Sequence, residues 1–297
     1  MTVASPAVAP VGSSAAIGAA PAWRRWTPRA LIGLGFAVLF ARPFVLLVDD
    51  WWNNPEAGHG LLLAPVAAWL VWRTRAAIRP VPNPLLGIVI LLGAVLLRYA
   101  SGLAAELFTM RMSMILAAAG LVVYFAGFRR LLAWWLPASL LVLSVPLPEV
   151  IINTIALPLQ FKASALGARL LELRNVPVLL QGNVINLPGH RLFVTEACSG
   201  LRSLTALLSL GVLAGGLWLK TPLARAVLAG SAIPVAVVLN GVRVFLTGFL
   251  VLFVDPKLGE GFMHLTEGWL VFLVAFAILG GLAALFAAVE GRWHRVA

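Results

Sequence analysis

Of 297 residues, 61% are hydrophobic and only 11% charged, too few polar side chains to clothe a soluble domain of this size. The net charge of +11 does not point to nucleic acid, because a chain this apolar gathers Lys and Arg on the cytoplasmic side of a membrane. A single cysteine excludes an internal disulfide.

Residues 1–27 are rich in Ala, Pro, Ser, Val and Gly, hold no apolar run and end near Arg24 and Arg25, so they read as a disordered cytoplasmic tail. The first apolar stretch is followed by no small-x-small cleavage site, which makes it a span and not a signal peptide. Spans are expected at Ala30–Val48, Gly60–Ile78, Leu85–Ala104, Met112–Gly127, Leu131–Pro148, Gly200–Leu219, Leu223–Gly241 (with a continuation to Phe253 open) and Thr266–Val289. Each is about long enough to cross ~30 Å of hydrocarbon. The expectation is an all-α polytopic membrane protein of about eight transmembrane helices, with a membrane body at 28–290 and a short cytoplasmic tail at 291–297.

With the N-terminus inside, the cytoplasmic segments carry twelve basic residues against one acid, Glu290, while the remaining ten basic and ten acidic residues fall on the outer side or in outer halves of spans. That asymmetry predicts both termini in the cytoplasm.

Between the fifth and sixth spans lies an outer connection, 149–199. Val150–Leu173 has helical apolar spacing and few charges, which fits an amphipathic helix lying in the interface. Asn175–Thr195 carries short β-rich runs broken at Gln181-Gly182-Asn183 and at Pro188-Gly189, so a small β-hairpin is expected, with an irregular loop as the alternative.

The connection ends at Cys198, in Thr-Glu-Ala-Cys-Ser-Gly-Leu-Arg-Ser-Leu, where strand-like sequence gives way to the sixth span. A helix N-terminus favours a thiolate through its dipole and free N–H groups. A lone cysteine in a membrane protein is ordinarily a small apolar residue, but Glu196, Ser199 and Arg202 have no packing reason to gather at a span entrance. Asn240 and Arg243 stand at the outer end of the seventh span, where an ionisable residue is costly; snorkelling of Arg243 to the interface is the alternative. His264 precedes the eighth span on the same side. Together, Cys198, Arg243 and His264 mark the outer ends of three consecutive spans, and they supply a thiol, a fixed cation and a base, the parts acyl transfer needs. His59 opens the second span on that face and serves there to support the site or gate the substrate, or as an interfacial anchor. One cysteine and dispersed histidines offer no metal-ligand spacing, and no cofactor is implied.

These residues resemble the exosortase/archaeosortase membrane transpeptidases. The likeness rests on Glu-Ala-Cys-Ser-Gly-Leu-Arg-Ser at 196–203, Asn-Gly-Val-Arg at 240–243, His264 before the last span, and the His-Gly-Leu to Trp-Leu-Val-Trp-Arg pattern from His59 to Arg73. The resemblance implies a cysteine protease or transpeptidase of the bacterial inner membrane, with its active site on the extracytoplasmic face. Its partners would be exported proteins bearing a C-terminal motif such as Pro-Glu-Pro, a transmembrane helix and a basic tail. The family's catalytic Cys, Arg and His carry over onto Cys198, Arg243 and His264. Two other readings compete: a transporter using Arg42, Arg98, Arg111 and Arg243 as pathway residues, for which no inverted repeat is found, and a non-catalytic export or assembly subunit in which Cys198 is incidental.

Overall fold

The computed structural model describes the backbone of residues 23–54, 56–76, 78–194, 201–259 and 261–296. It describes their side chains too, except at 23–29, 149, 153, 156, 201–202, 258–259, 261–268 and 292–296. Cys198, Glu196 and Ser199 lie outside the described residues.

The described residues are mostly helical, at 79%, with a small three-stranded sheet. In order come α1 (Trp23–Asn53), α2 (Gly60–Thr74), α3 (Pro84–Leu103), α4 (Leu107–Ala126), α5 (Phe128–Ala133), α6 (Trp135–Leu143), α7 (Glu149–Glu172), β1 (Leu179–Gln181), β2 (Val184–Leu187), β3 (His190–Phe193), α8 (Leu201–Trp218), α9 (Pro222–Phe253) and α10 (Gly261–Val296). Among the described residues six helices are long and apolar enough to cross a membrane: α1, α3, α4, α7, α9 and α10. The apolar helices α2 and α8 are shorter.

Among the described residues, those up to Ala41 form one compact unit and those from Arg42 onward another. Within the first, the rings of Phe36 and Phe40 meet one helical turn apart, 4.9 Å between centroids. Within the second, helices meet through small residues, as expected where lipid removes the hydrophobic drive between helices. The buried residues of α3 are Gly87, Ala94 and Ser101, spaced seven apart on one stripe. They face α4, whose buried stripe includes Ser113, Ala117 and Gly120. Gly87 abuts the Tyr124 backbone and Gly120 abuts Leu91, so the two helices run antiparallel in close contact. The same logic sets α8 against α9: Gly211 meets Ala229 and Gly215 meets Arg225, again antiparallel.

Two expectations change here. Leu131–Pro148 is not one continuous helix: the helix breaks at Trp134 and stops at Leu143, giving the short α5 and α6, and Pro146 and Pro148 precede the next helix. The helix expected to lie in the interface, α7, packs lengthwise on α9, with Leu166 against Gly241, Gly167 against Val244 and Leu171 against Gly248. Those pairs rise together in number, so α7 and α9 run parallel.

The expected hairpin is present with one strand more. β1, β2 and β3 form an antiparallel meander, with Gln181 opposite Val184 and Leu187 opposite His190. Its turns fall at Gly182 and Gly189, whose φ of +66° and +76° only glycine adopts without strain. Ile185, Leu187 and Val194 bury against Leu171 of α7 and Val244 of α9, which seats the sheet on both helices.

The connections sort to two ends. At one end Arg130 donates to the carbonyls of Arg75 and Ile78, Arg225 stacks over Trp135 at 5.0 Å, and Glu290 accepts from the backbone N–H groups of Lys220 and Thr221. The opposite ends of α2, α4 and α8 meet around a cavity, described next.

Candidate active site

Helices α8, α9 and α10 converge on a crevice lined by Ser203, Leu207, Asn240, Arg243, Val271 and Ala275. Its free volume of about 10 Å³ accommodates roughly one water. Asn240 and Arg243 lie one turn apart on α9, and Asn240 is buried. The Arg243 carbonyl accepts from Thr247 Oγ1 at 3.0 Å. Close packing of Gly241 on Leu166 fixes this stretch of α9 against α7, so the polar pair is held by backbone contact on one side and presented to α8 and α10 on the other.

On the other face of α8, Thr205 and Leu208 border a cavity of about 1060 Å³. Two hydrogen bonds brace its wall at the end of α6: Trp51 Nε1 donates to the Ser144 carbonyl at 2.7 Å, and His59 Nε2 lies 3.0 Å from the Leu143 carbonyl. A carbonyl only accepts, so Nε2 carries the His59 proton in this bond.

The cavity is also lined by charged side chains. Arg111, only 3% exposed on the apolar helix α4, sets Nη2 at 2.5 Å from Asp50 Oδ2 and 3.2 Å from the Leu46 carbonyl, while its buried Nε has no hydrogen-bond partner. Glu106 caps α4, accepting from Phe108 N at 2.9 Å, Thr109 N at 2.7 Å and Thr109 Oγ1 at 2.5 Å. Partial burial pushes the Glu106 carboxyl upward, but the Thr109 and Phe108 hydrogen bonds and the charge of Arg111 outweigh it and hold the group below its ordinary value. Among the described residues that line it, Asp50, Glu56 and Glu106 bring three carboxylates and Arg111 one guanidinium.

The candidate residues therefore divide. Asn240 and Arg243 share the α8–α9–α10 crevice; His59 lines the cavity across α8 from it. Arg202 falls in the first turn of α8, and His264 falls in the first turn of α10. Asp50 and Glu106 were not singled out as site residues by the sequence, and Arg111 entered only as a pathway residue of the transporter reading. The available signal was the cost of Arg111 inside an apolar run. Among the described residues no three His, Cys, Asp or Glu side chains converge to hold a metal ion.

A helical body with six membrane-length helices and a polar, partly charged cavity at one end defines a multi-pass membrane protein. Its family follows from the residues it carries: the model of the transmembrane exosortases (Exosortase_EpsH) matches residues 51–281, and the chain belongs to that family. The matched span runs from Trp51 at the cavity through the Cys198 stretch and both helices that line the crevice with α8. No curated protein and no solved structure matches the chain.

Proposed function

We propose that the chain is a membrane-embedded cysteine protease or transpeptidase that cleaves a C-terminal sorting signal from exported proteins through a thioester on Cys198. Family membership supports a membrane peptidase or transpeptidase. The observation that carries the residue assignment is the convergence at Arg243 of α8, which begins three residues after Cys198, and α10, whose first turn holds His264. Three residues of chain reach at most about 11 Å.

In this reading His264 takes the Cys198 thiol proton, and the sulfur attacks the carbonyl carbon of the scissile peptide bond. Arg243 stabilises the oxyanion; being always protonated, it is not the base. The C–N bond breaks, its electron pair stays on nitrogen, and His264 returns the proton to the leaving amine. An amine or water then attacks the thioester carbon and gives a proton to His264, and the C–S bond breaks to restore Cys198. Glu196, Ser199, Arg202 and Asn240 support this centre.

The Arg-rich end is assigned to the cytoplasm of a bacterial inner membrane and the cavity end to the outer face, with both termini inside and α1, α2, α3, α4, the α5–α6 segment, α8, α9 and α10 making about eight passes, while α7 belongs to the outer connection. A substrate with a single span and a basic inner tail then presents its motif at the level of the site.

The test is processing of a co-expressed substrate by Cys198→Ala, Arg243→Ala and His264→Ala, each checked for normal membrane insertion. Loss of processing in all three is expected, and unchanged processing by Cys198→Ala overturns the reading. Full activity in His264→Ala moves the base elsewhere. An impermeant thiol reagent should label Cys198 in intact spheroplasts; labelling only after lysis reverses the orientation.

A further inference from the structure

The crevice around Arg243 absorbs the proposed chemistry but leaves the much larger cavity across α8 unexplained. A volume of about 1060 Å³ is ample for a peptide segment of several residues. Two independent features show what it is built to hold.

The first is Arg111. Among the described residues it is the only charged side chain so fully buried, and it lines the cavity. Asp50 neutralises it through one nitrogen, yet the buried Nε lacks an acceptor. Paired with Asp50, Arg111 gives this wall of the cavity polarity without net charge, which suits an arriving group that is itself uncharged, such as a peptide carbonyl. The second is the balance of charge. Among the described lining residues, once Asp50 and Arg111 cancel, the carboxylates of Glu56 and Glu106 remain. The hydrogen bonds and nearby guanidinium that lower the Glu106 pKa keep that carboxyl ionised at neutral pH. A concave site with surplus carboxylates concentrates cations and repels anions.

We propose that this cavity is the docking site for a basic, extended segment of the exported protein, with Arg111 binding its backbone carbonyls and Glu56 and Glu106 its Lys or Arg side chains. This rests on the peptidase reading above, because it supplies that enzyme with a second contact to its substrate. Thr205 and Leu208 put the segment on the helix that follows Cys198. The cavity thereby favours substrates with basic residues beside the cleavage motif over those with acidic ones.

The single cysteine makes the test direct, because Cys198→Ala gives a cysteine-free chain that retains every cavity residue. In that background Leu208→Cys, and separately Val150→Cys on the opposite wall, are labelled with a cationic trimethylammonium-ethyl and an anionic sulfonatoethyl methanethiosulfonate. Relative to free thiol, the cationic reagent should be favoured roughly tenfold, and Glu56→Gln with Glu106→Gln should abolish the preference. A Lys-containing decapeptide should slow labelling where its Glu-containing counterpart does not. The pair Arg111→Gln with Asp50→Asn leaves the net charge unaltered, so it should keep the reagent preference and lose peptide protection.

Equal rates for the two reagents, equal protection by both peptides, or protection by phospholipid vesicles and by neither peptide overturns the proposal. Retained protection in the Arg111 and Asp50 pair confines that ion pair to a structural role and overturns its part. None of these readouts needs Cys198 chemistry, so they fail or succeed independently of the processing assay.

Discussion

Removing Arg111 or Asp50 separately should cost far more than removing both. Arg111 has a 4% exposed side chain and Asp50 a 32% exposed one, at 2.5 Å. Asp50→Asn strands a guanidinium inside α4, and breaking a fully buried pair this way costs about 3–5 kcal/mol. The partial exposure of Asp50 and the Leu46 carbonyl bond place this case near the lower end, at about 3 kcal/mol. Arg111→Gln leaves an aspartate that water reaches, costing about 1 kcal/mol. The double variant has no stranded charge and should stand within about 1 kcal/mol of the parent. Reversible unfolding of the four proteins in mixed detergent and dodecyl sulfate micelles, followed by helical circular dichroism, gives the coupling free energy. A coupling of about 3 kcal/mol is expected; additive losses, with coupling under about 0.5 kcal/mol, would refute the pairing as the reason Arg111 is tolerated in the helix.

Other outcomes follow from single contacts. Gly87→Leu should destabilise the α3–α4 pair by about 2 kcal/mol or more, since a β-carbon there meets the Tyr124 backbone at 2.6 Å, whereas Gly93→Leu, with open space beside it, should be nearly neutral in the same unfolding assay. Trp51→Phe removes the donor to the buried Ser144 carbonyl and should cost about 1–3 kcal/mol, loosening the end of α6 as read by hydrogen exchange. Glu106→Gln should cost about 1 kcal/mol at neutral pH. Because the Glu106 carboxyl titrates lower in the folded chain, its contribution is complete above the ordinary value of 4.5 and fades as pH falls through the folded value, so the parent and variant stabilities should converge in acid. Arg243→Lys should lower processing at least tenfold without affecting insertion, because an ammonium lacks the planar fork of donors.

The helices that cross alone were legible because bilayer thickness dictates their length: α3, α4 and α10 lie where apolar runs of about 20 residues stand, and α9 takes the longer of its two expected ends, at Phe253. The sheet was legible for a different reason. Gly182 and Gly189 occupy positive-φ turns that few other residues accept, and two such turns make three strands, not the two of a hairpin. The break at Trp134 left no mark, because no Gly, Pro or polar residue interrupts Leu131–Trp135. The lengthwise seating of α7 depends on its small face at Ala163, Ser164, Gly167 and Ala168 meeting α9, a match that periodicity within α7 cannot reveal. Of the site, the α9 pair Asn240 and Arg243 was visible as polar residues in an apolar run. The Asp50–Arg111 pair was not, since it joins helices far apart in sequence and exists only after folding.

The central claim is a covalent one, and intact mass spectrometry tests it most directly. The protein is co-expressed with an exported substrate carrying the C-terminal signal, quenched in acid and digested. The account predicts an acyl adduct on the peptide containing Cys198, equal in mass to the part of the substrate upstream of the cleaved bond, released by neutral hydroxylamine and absent from Cys198→Ala. Continued processing by Cys198→Ala, or an adduct on another residue, would contradict it.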